Sequence, residues 1–334
     1  MHSVYYGGIQ NTGARSQNEY RMGPPYNRTI PPPSVRVLFR NEGNSMSQLQ
    51  LRYAAPPQSP TGITVHRDLA YISNGHPRQN LDLYLPSDGK NLPLIIWVHG
   101  GAFRMGSKEG LEFDAVPLEY LAHGYAVASI NYRLSQHALF PAQIEDCKAA
   151  VRWLRVYAAQ FKLDANRFGV WGPSAGGYLA AMLGTTGAVM AFEVGEYLNV
   201  SSRVQAVVDY FGPTDFLQMD EQRLPDGMAH NPADSPESQL IGGAIQEHQQ
   251  RVAQANPITY VTSDAPPFLI VHGDRDPLVP FQQSKLLEAA LRHAGVPVTF
   301  YPVVGAGHGR FTDPRVPELT QAFFAKHLLP REAQ

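Results

Sequence analysis

One serine of this chain stands in a pattern typical of a nucleophile. The segment Gly172–Gly176 fits G-x-S-x-G around Ser174, after a short apolar run that predicts a strand and before a stretch that favours a helix. In such a tight turn, small residues let neighbouring backbone pass and leave the serine hydroxyl exposed at the helix N-terminus. The pattern also occurs by chance, so an ordinary glycine-rich turn is the alternative interpretation.

A second glycine-rich segment could supply backbone donors. His99–Phe103 reads His-Gly-Gly-Ala-Phe and follows a continuously apolar run that predicts a strand buried on both faces. Its N–H groups could stabilise an oxyanion, and each such donor is typically worth roughly 2.7–4 kcal/mol. We expect the donors to be the N–H of Ala175 and that of Gly101 or Ala102. His99 is expected to hold the loop rather than transfer protons.

Two later segments offer a carboxylate and an imidazole. Gly273–Asp276 contains two aspartates after a predicted strand. We favour Asp276 as the residue that orients a histidine, and Asp274 as a turn former. Gly305–Gly309 places His308 between glycines after the last predicted strand, from where it can reach across to the serine.

The combination is more specific than any single motif. The three candidates occur in the order Ser, Asp, His, and each follows directly on a predicted strand. Parallel strands place such loops at one edge of the sheet, where ligands bind. The sequence therefore predicts a catalytic triad of Ser174, Asp276 and His308.

The elements that would position these residues alternate between strand and helix. Short apolar runs from about residue 65 to residue 303 predict eight strands. A helix that begins at Pro141 is predicted to carry one apolar stripe. A second helix is predicted over Ser284–Ala294, with Gly295 ending it. This alternation predicts an α/β fold over 63–330, with a mostly parallel eight-stranded sheet and helices on both faces.

Two stretches depart from this rhythm. Residues 1–62 are rich in proline, glycine and polar residues, and only Val35–Phe39 alternates like a strand, so we expect an irregular leader or arm. Residues 211–265 are long, polar and punctuated by proline. We predict a cap-like excursion near the carboxyl edge of the sheet that helps to shape a substrate pocket.

Composition narrows the classes of function. Hydrophobic residues make up 43% and charged residues 17% of the chain, which suits a folded domain with a core. A net charge of −2 gives no sign of nucleic acid or an anionic membrane as partner. The single cysteine, Cys147, lies on the apolar stripe of a predicted helix and is interpreted as a core thiol. No zinc-ligand spacing or nucleotide-binding loop is visible, so no metal or cofactor is expected.

The chain shows no pattern of a membrane or secreted protein. No apolar run approaches the ~20 residues of a membrane-spanning helix, and the first residues lack the pattern of a signal peptide. A cytoplasmic location is the default expectation, unless a leader has been removed. Oligomeric state is left open.

These residues resemble the α/β-hydrolase superfamily over about 63–330. In finer detail the chain is similar to the carboxylesterase branch that includes the bifunctional feruloyl and acetyl-xylan esterases. Further segments that carry this resemblance are Gln79–Pro86, Asn131–Leu134, Phe140–Gln143, Gly212–Asp215, Ser238–Gly243, Asn256–Val261 and Gly273–Pro280. The resemblance implies that Ser174 is the nucleophile, Asp276 the acid and His308 the base. Pro173 departs from the family pattern, in which an aliphatic or small residue is commoner before the serine.

The expected reaction is cleavage of carboxylic esters through an acyl-enzyme. The resemblance implies short-chain acyl or feruloyl esters, free or linked to plant polysaccharides. Phe103, Tyr178 and Leu278 adjoin the motifs and are candidates to line the pocket, with ordinary packing as the alternative. Two other functions stay open: amide cleavage by the same triad, as in arylformamidases or peptidases, and an inactive binding scaffold.

Overall fold

A computed structural model describes residues 62–113 and 116–330, together with the backbone of 35–40 and 46–51. All of these lie in one unit, Ser34–Gln334. The strands of this part of the chain are β1 Val35–Arg40, β2 Met46–Leu51, β3 Ile63–Ala70, β4 Asn80–Pro86, β5 Leu92–Val98, β6 Ala126–Ile130, β7 Leu163–Pro173, β8 Ala206–Tyr210, β9 Phe268–Gly273 and β10 Val298–Val303. Its α-helices are α1 Gly110–Phe113, α2 Val116–Glu119, α3 Ala142–Val156, α4 Ala175–Thr185, α5 Met219–Gln222, α6 Pro236–Ile241, α7 Gln249–Ala255, α8 Gln282–His293 and α9 Arg315–Leu328.

Eight of these strands form one sheet, which confirms the predicted fold class. Their order is β10-β9-β8-β7-β5-β6-β4-β3. The strands from β10 to β6 pair in parallel, whereas β3 and β4 are antiparallel to their neighbours. The carboxyl ends of β5, β7, β9 and β10 therefore lie at one edge, and the motif-bearing loops leave the sheet there.

The central strand β5 explains why the sheet needs helices on both faces. Leu94, Ile96 and Val98 belong to one hydrophobic core. The alternate residues Ile95 and Trp97 belong to a second. Helices α3, α4 and α8 contribute to the first core and α9 to the second, so each face of β5 is covered by apolar side chains.

The predicted helices form with small shifts at their ends. Helix α3 begins at Ala142 with Pro141 as its N-cap, one residue later than expected. Its apolar stripe includes the fully buried Cys147, and burial raises the pKa of that thiol, which supports its interpretation as a core residue. The predicted Ser284–Ala294 helix is α8, and Gly295 ends it with a φ of 74°.

The N-terminal segment contains more regular structure than the sequence pattern indicates. Strand β1 covers the predicted Val35–Phe39 and pairs antiparallel with β2, which the sequence interpretation missed. In Met46–Leu51 the strict alternation of polar and apolar residues covers just Gln48–Leu51, so the strand signal is short. Residues 1–34, 41–45 and 52–61 of the predicted leader lie outside the described residues.

The excursion at 211–265 consists of short helices and turns. Helix α6 is bounded by Ser235, whose side chain accepts the N–H of Ser238, and by Gly242 in the left-handed conformation. Hydrogen bonds tie the excursion to the loops at the carboxyl edge. Arg104 Nη1 donates to the carbonyl of Asp234 at 3.2 Å, and the N–H of Met228 donates to the carbonyl of Pro277 at 2.7 Å.

No helix within 62–113 or 116–330 is both long and apolar enough to cross a membrane.

Candidate active site

Ser174 occupies the turn between β7 and α4 in a strained conformation. Its φ is 56° and its ψ is −122°, values that a residue with a side chain rarely adopts. The N–H of Ser174 donates to the carbonyl of Tyr210 at 2.8 Å, which holds the turn against β8. Such backbone strain clusters at functional sites and matches the elbow expected of G-x-S-x-G.

The turn and the loop after β5 are in backbone contact. A Cβ placed on Gly176 would lie only 2.0 Å from the carbonyl oxygen of Val98 and 2.9 Å from that of His99. Any side chain at this position would therefore separate the two segments. The glycine at 176 has the role that the sequence motif indicated.

The loop after β5 has an unusual backbone conformation. Gly101, Ala102 and Phe103 have consecutive positive φ values of 121°, 54° and 61°. In the described part of the chain, the N–H groups of Gly101, Ala102 and Ala175 donate to no acceptor. Ala175 is also the first residue of α4, where the helix dipole favours negative charge. These three groups lie in the two segments that meet at Ser174.

Arg78 connects both ends of this loop. Its Nη2 donates to His99 Nε2 at 3.1 Å and to the carbonyl of Gly106 at 2.9 Å. Its Nε donates to the carbonyl of Tyr132 at 2.8 Å. Arg78 thus holds the loop at His99 and Gly106 and links it to Tyr132, which follows β6.

His99 is part of this support. The ring is buried and stacks on Tyr132, with centroids 4.4 Å apart and planes 13° apart. Burial lowers the pKa of His99 to about 4, so the ring is neutral near pH 7. Because Nε2 accepts from Arg78, Nδ1 carries the proton and donates to the carbonyl of Gly100 at 2.7 Å. These contacts support the predicted structural role.

The loop after β9, residues 274–281, is called the acid loop below, and of its two aspartates Asp276 contacts His308. Its Oδ2 accepts a hydrogen bond from His308 Nδ1 at 2.7 Å. Its Oδ1 accepts the N–H groups of Leu278 at 2.8 Å and Val279 at 2.9 Å. Asp274 serves the loop instead, since its Oδ1 accepts the N–H of Gly305 at 2.6 Å and so joins the acid loop to the histidine loop.

The Asp276 carboxylate stays ionised although it is buried. Burial alone would raise its pKa, but hydrogen bonds and charge from His272 and His308 outweigh that effect. The pKa of Asp276 is therefore held well below its usual range. An ionised acid at this position can orient His308 and stabilise its protonated form.

His308 is hydrogen-bonded to Asp276 but not to Ser174 in the described part of the chain. The His308 ring packs beside Phe211, with centroids 4.6 Å apart, and its side chain is 14% exposed. Nucleophile and base pairs are often looser without substrate.

The three pocket candidates fall into two classes. Phe103 and Tyr178 are buried, and their rings meet edge to face with centroids 5.2 Å apart. The Tyr178 hydroxyl donates to the carbonyl of Ala255 at 2.7 Å, so packing accounts for both side chains. Leu278 is 42% exposed and lies two residues after Asp276.

Sequence reasoning missed three polar residues around the site. Arg78 pins the loop after β5, His272 contacts Asp276, and Asp209 lies buried beneath the first turn of α4. His272 ends an apolar run and Asp209 interrupts one, which marks a polar side chain in a buried strand. The sequence holds no comparable signal for Arg78.

Comparisons with known proteins show which family this chain resembles. The model of the BD-FAE family matches residues 81–291. Among curated relatives, esterase LipC of Mycobacterium tuberculosis is 31% identical over 79% of this chain and 66% of its own length. Esterase LipQ of the same organism is 32% identical over 73% of this chain and 56% of its own. The chain thus spans less than two thirds of the length of these relatives.

A solved structure matches over nearly its whole length. A truncated carbohydrate esterase from gut microbiota is 35% identical, with a TM-score of 0.73, and the match covers 81% of this chain and 98% of that one. Together these matches confirm the resemblance to α/β-hydrolases of the carboxylesterase branch.

Proposed function

The chain belongs to the BD-FAE family, and on that premise we propose that it hydrolyses carboxylic esters through a triad of Ser174, Asp276 and His308. The relatives named above are esterases, which supports the reaction class. The observation that carries the residue roles is the 2.7 Å hydrogen bond between Asp276 and His308 at the sheet edge that also holds the strained turn of Ser174.

The chemistry proceeds in two halves. His308 takes the proton of the Ser174 hydroxyl as the oxygen attacks the ester carbonyl, and Asp276 stabilises the imidazolium that results. His308 then protonates the departing alcohol. Water, activated by the same imidazole, hydrolyses the acyl-enzyme and releases the acid.

The oxyanion is stabilised by backbone donors. The N–H of Ala175 and that of Gly101 or Ala102 are the candidates, because they have no acceptor in the described part of the chain. Donors of this kind need no reorganisation during the reaction, since the protein backbone fixes them in advance. No metal or organic cofactor is part of the proposal.

The proposed substrates are short-chain acyl or feruloyl esters, including those linked to polysaccharides. The similarity to a carbohydrate esterase supports the polysaccharide-linked class. The site loops also present exposed apolar side chains: Met105 is 62% and Leu278 is 42% exposed. We assign the contact with the acyl group to these two residues. Phe103 and Tyr178 would shape the pocket from within the core.

A panel of matched substrates tests this proposal. Hydrolysis rates would be measured on p-nitrophenyl esters of increasing chain length, methyl ferulate and acetylated xylan, with Ser174→Ala as the control. We expect turnover of short-chain or feruloyl esters by the wild-type chain alone. A preference for long-chain esters would contradict the substrate class.

The two alternative functions give different results in the same assay. Hydrolysis rates of an ester and its matched anilide distinguish ester cleavage from amide cleavage. Faster turnover of the anilide would contradict the esterase assignment. An inactive binding scaffold would hydrolyse none of these compounds.

A further inference from the structure

Asp276 contacts a second histidine, which the proposed triad does not use. His272 lies in β9, four residues before Asp276, and both side chains are completely buried. Its Nε2 lies 3.2 Å from Asp276 Oδ2, the same oxygen that accepts from His308. Two imidazoles therefore converge on one carboxylate oxygen.

The surroundings of His272 fix which of its nitrogens carries the proton. Nε2 lies 3.0 Å from the carbonyl of Val279 as well as near Asp276, and both of these groups can only accept. Nε2 is therefore protonated. Nδ1 lies 2.7 Å from the Ser284 hydroxyl, which can donate to it when the ring is neutral. Ser284 on α8 is also fully buried.

The Asp276 carboxylate is thus held from all sides. The N–H groups of Leu278 and Val279 hold Oδ1, while His308 and His272 hold Oδ2. A carboxylate with this many donors cannot rotate without losing several hydrogen bonds at once.

Within 62–113 and 116–330, the other elements around the pair add no closer titratable contact. The rings of Phe211 and Phe281 flank His272, with centroids 6.2 Å and 5.7 Å from it. In the acid loop, Asp274 bonds the N–H of Gly305, and Arg275 is exposed. The titratable groups that face the carboxylate are therefore the two imidazoles, one from β9 and one from the loop after β10.

We infer that His272 is a positioning residue for the proposed reaction, which together with Ser284 fixes the orientation of Asp276 and shares its Oδ2 with His308. The inference rests on the proposed function, because it assigns His272 a role through the catalytic acid. His272 does not touch the substrate. It sets how strongly the carboxylate acts on His308.

This role has a consequence that packing alone does not have. If the donor at 272 is lost, Asp276 directs more of its charge at His308. The protonated form of His308 is then favoured, so the acid limb of the kcat/KM profile moves to higher pH. The orientation of the carboxylate is also less fixed, which lowers kcat more than it changes KM.

Four variants separate these effects. His272→Leu removes the donor, and His272→Gln keeps an N–H near the position of Nε2. Ser284→Ala removes the hydroxyl that holds the His272 tautomer. Ser202→Ala is the matched control, because Ser202 is a buried serine that bonds Lys148 and Glu193, outside the acid loop. Hydrolysis of p-nitrophenyl acetate would be followed from pH 5 to 9, with circular dichroism as the test of folding.

We expect His272→Leu to lower kcat by about 10-fold or more, well short of the roughly 10⁴-fold cost of losing the acid itself, and to move the acid limb upward. His272→Gln should retain most of the wild-type kcat and pH profile. Ser284→Ala should show a smaller shift of the acid limb in the same direction, and Ser202→Ala should match the wild type. An unchanged pH profile in His272→Leu, or equal losses in His272→Leu and His272→Gln, would overturn the inference. If His272→Leu does not fold, His272→Gln and Ser284→Ala decide by the same criterion.

A second readout does not depend on activity. Nitrogen-15 NMR of the histidine rings in the full chain should show His272 protonated at Nε2, with a change in the His308 signals when Ser284 is replaced by Ala. If the wild type hydrolyses no ester, the proposed function fails while this measurement still tests the contact. His272 protonated at Nδ1 alone would refute the contact directly.

Discussion

A Cβ added to Gly100 would lie 3.5 Å from the Cβ of Ser174 and 2.9 Å from the carbonyl oxygen of Pro173. The loop that carries the proposed oxyanion donors is therefore in direct contact with the proposed nucleophile. The distance between donors and nucleophile is fixed by two backbones rather than by flexible side chains. Such fixed donors are typical of oxyanion holes.

This contact predicts the effect of a single methyl group. Gly100→Ala should push the loop away by a few tenths of an ångström and lower kcat by about 10-fold or more, with little change in KM. Gly110→Ala is the matched control, because a Cβ at Gly110 meets nothing within 4 Å. Steady-state kinetics on p-nitrophenyl acetate measure both, and equal activity of the two variants would contradict the prediction.

Arg78 should matter for catalysis although it lies outside the motifs. Replacing it with Met removes the donors that hold His99 and Gly106, so the oxyanion loop should loosen and kcat should fall by about 10-fold or more. Arg78→Lys supplies one compact cation and should therefore retain kcat only in part. Arg292→Met is the control, since the Arg292 side chain is exposed on α8 and, among the described residues, pairs with Glu288 alone. Wild-type kcat in Arg78→Met would show that the loop holds its shape unaided.

The choice of Asp276 over Asp274 is tested by isosteric amides. Asp276→Asn should lower kcat by roughly 10⁴-fold, because the amide no longer stabilises the imidazolium or the required tautomer of His308. Asp274→Asn keeps an oxygen for the N–H of Gly305 and should retain most activity. A larger loss in Asp274→Asn would reverse the assignment.

The buried carboxyl of Asp209 should make stability depend on pH. One oxygen accepts the N–H of Gly212 at 2.8 Å, and the other has no partner in the described part of the chain. Burial raises the pKa of Asp209 to about 7, so between about pH 4 and 7 the folded chain holds a proton that the unfolded chain releases. The free energy of unfolding should therefore fall as the pH rises through this window.

Asp209→Asn should remove this contribution to the decrease in the free energy of unfolding, because an amide does not titrate. Urea unfolding of both proteins at pH 5 and pH 8 measures the difference. The wild type should lose more stability than the variant on going to pH 8, by up to about 1.4 kcal/mol per pH unit within the window. Identical pH dependence in the two proteins would show that Asp209 is already ionised in the fold.

The sequence predicted the parts of the site that depend on local order. Ser174, Asp276 and His308 each follow a short apolar strand, and parallel pairing brings the ends of those strands to one edge. Glycines at positions 100 and 176 also have a local signature, because close backbone approach excludes any side chain there. Periodicity and glycine spacing are sufficient to recognise such features.

The supporting contacts could not be predicted in this way. Arg78 and His99 are 21 residues apart, and their contact exists only after β4 and β5 take their places in the sheet. The pairing of His272 with Ser284 depends on how α8 packs on β9. The short helices of 211–265 could also not be predicted from the sequence, since their helical patterns are short and interrupted by proline.

The most direct test of Ser174 as the nucleophile is mass spectrometry of the folded chain after reaction with a fluorophosphonate probe. The probe needs an activated serine and therefore does not depend on the natural ester. We expect one adduct, located by peptide mapping at Ser174, which disappears in Ser174→Ala and after heat denaturation. Folded wild-type protein that hydrolyses p-nitrophenyl acetate but carries no adduct at Ser174, or carries it on another serine, would contradict the proposed mechanism.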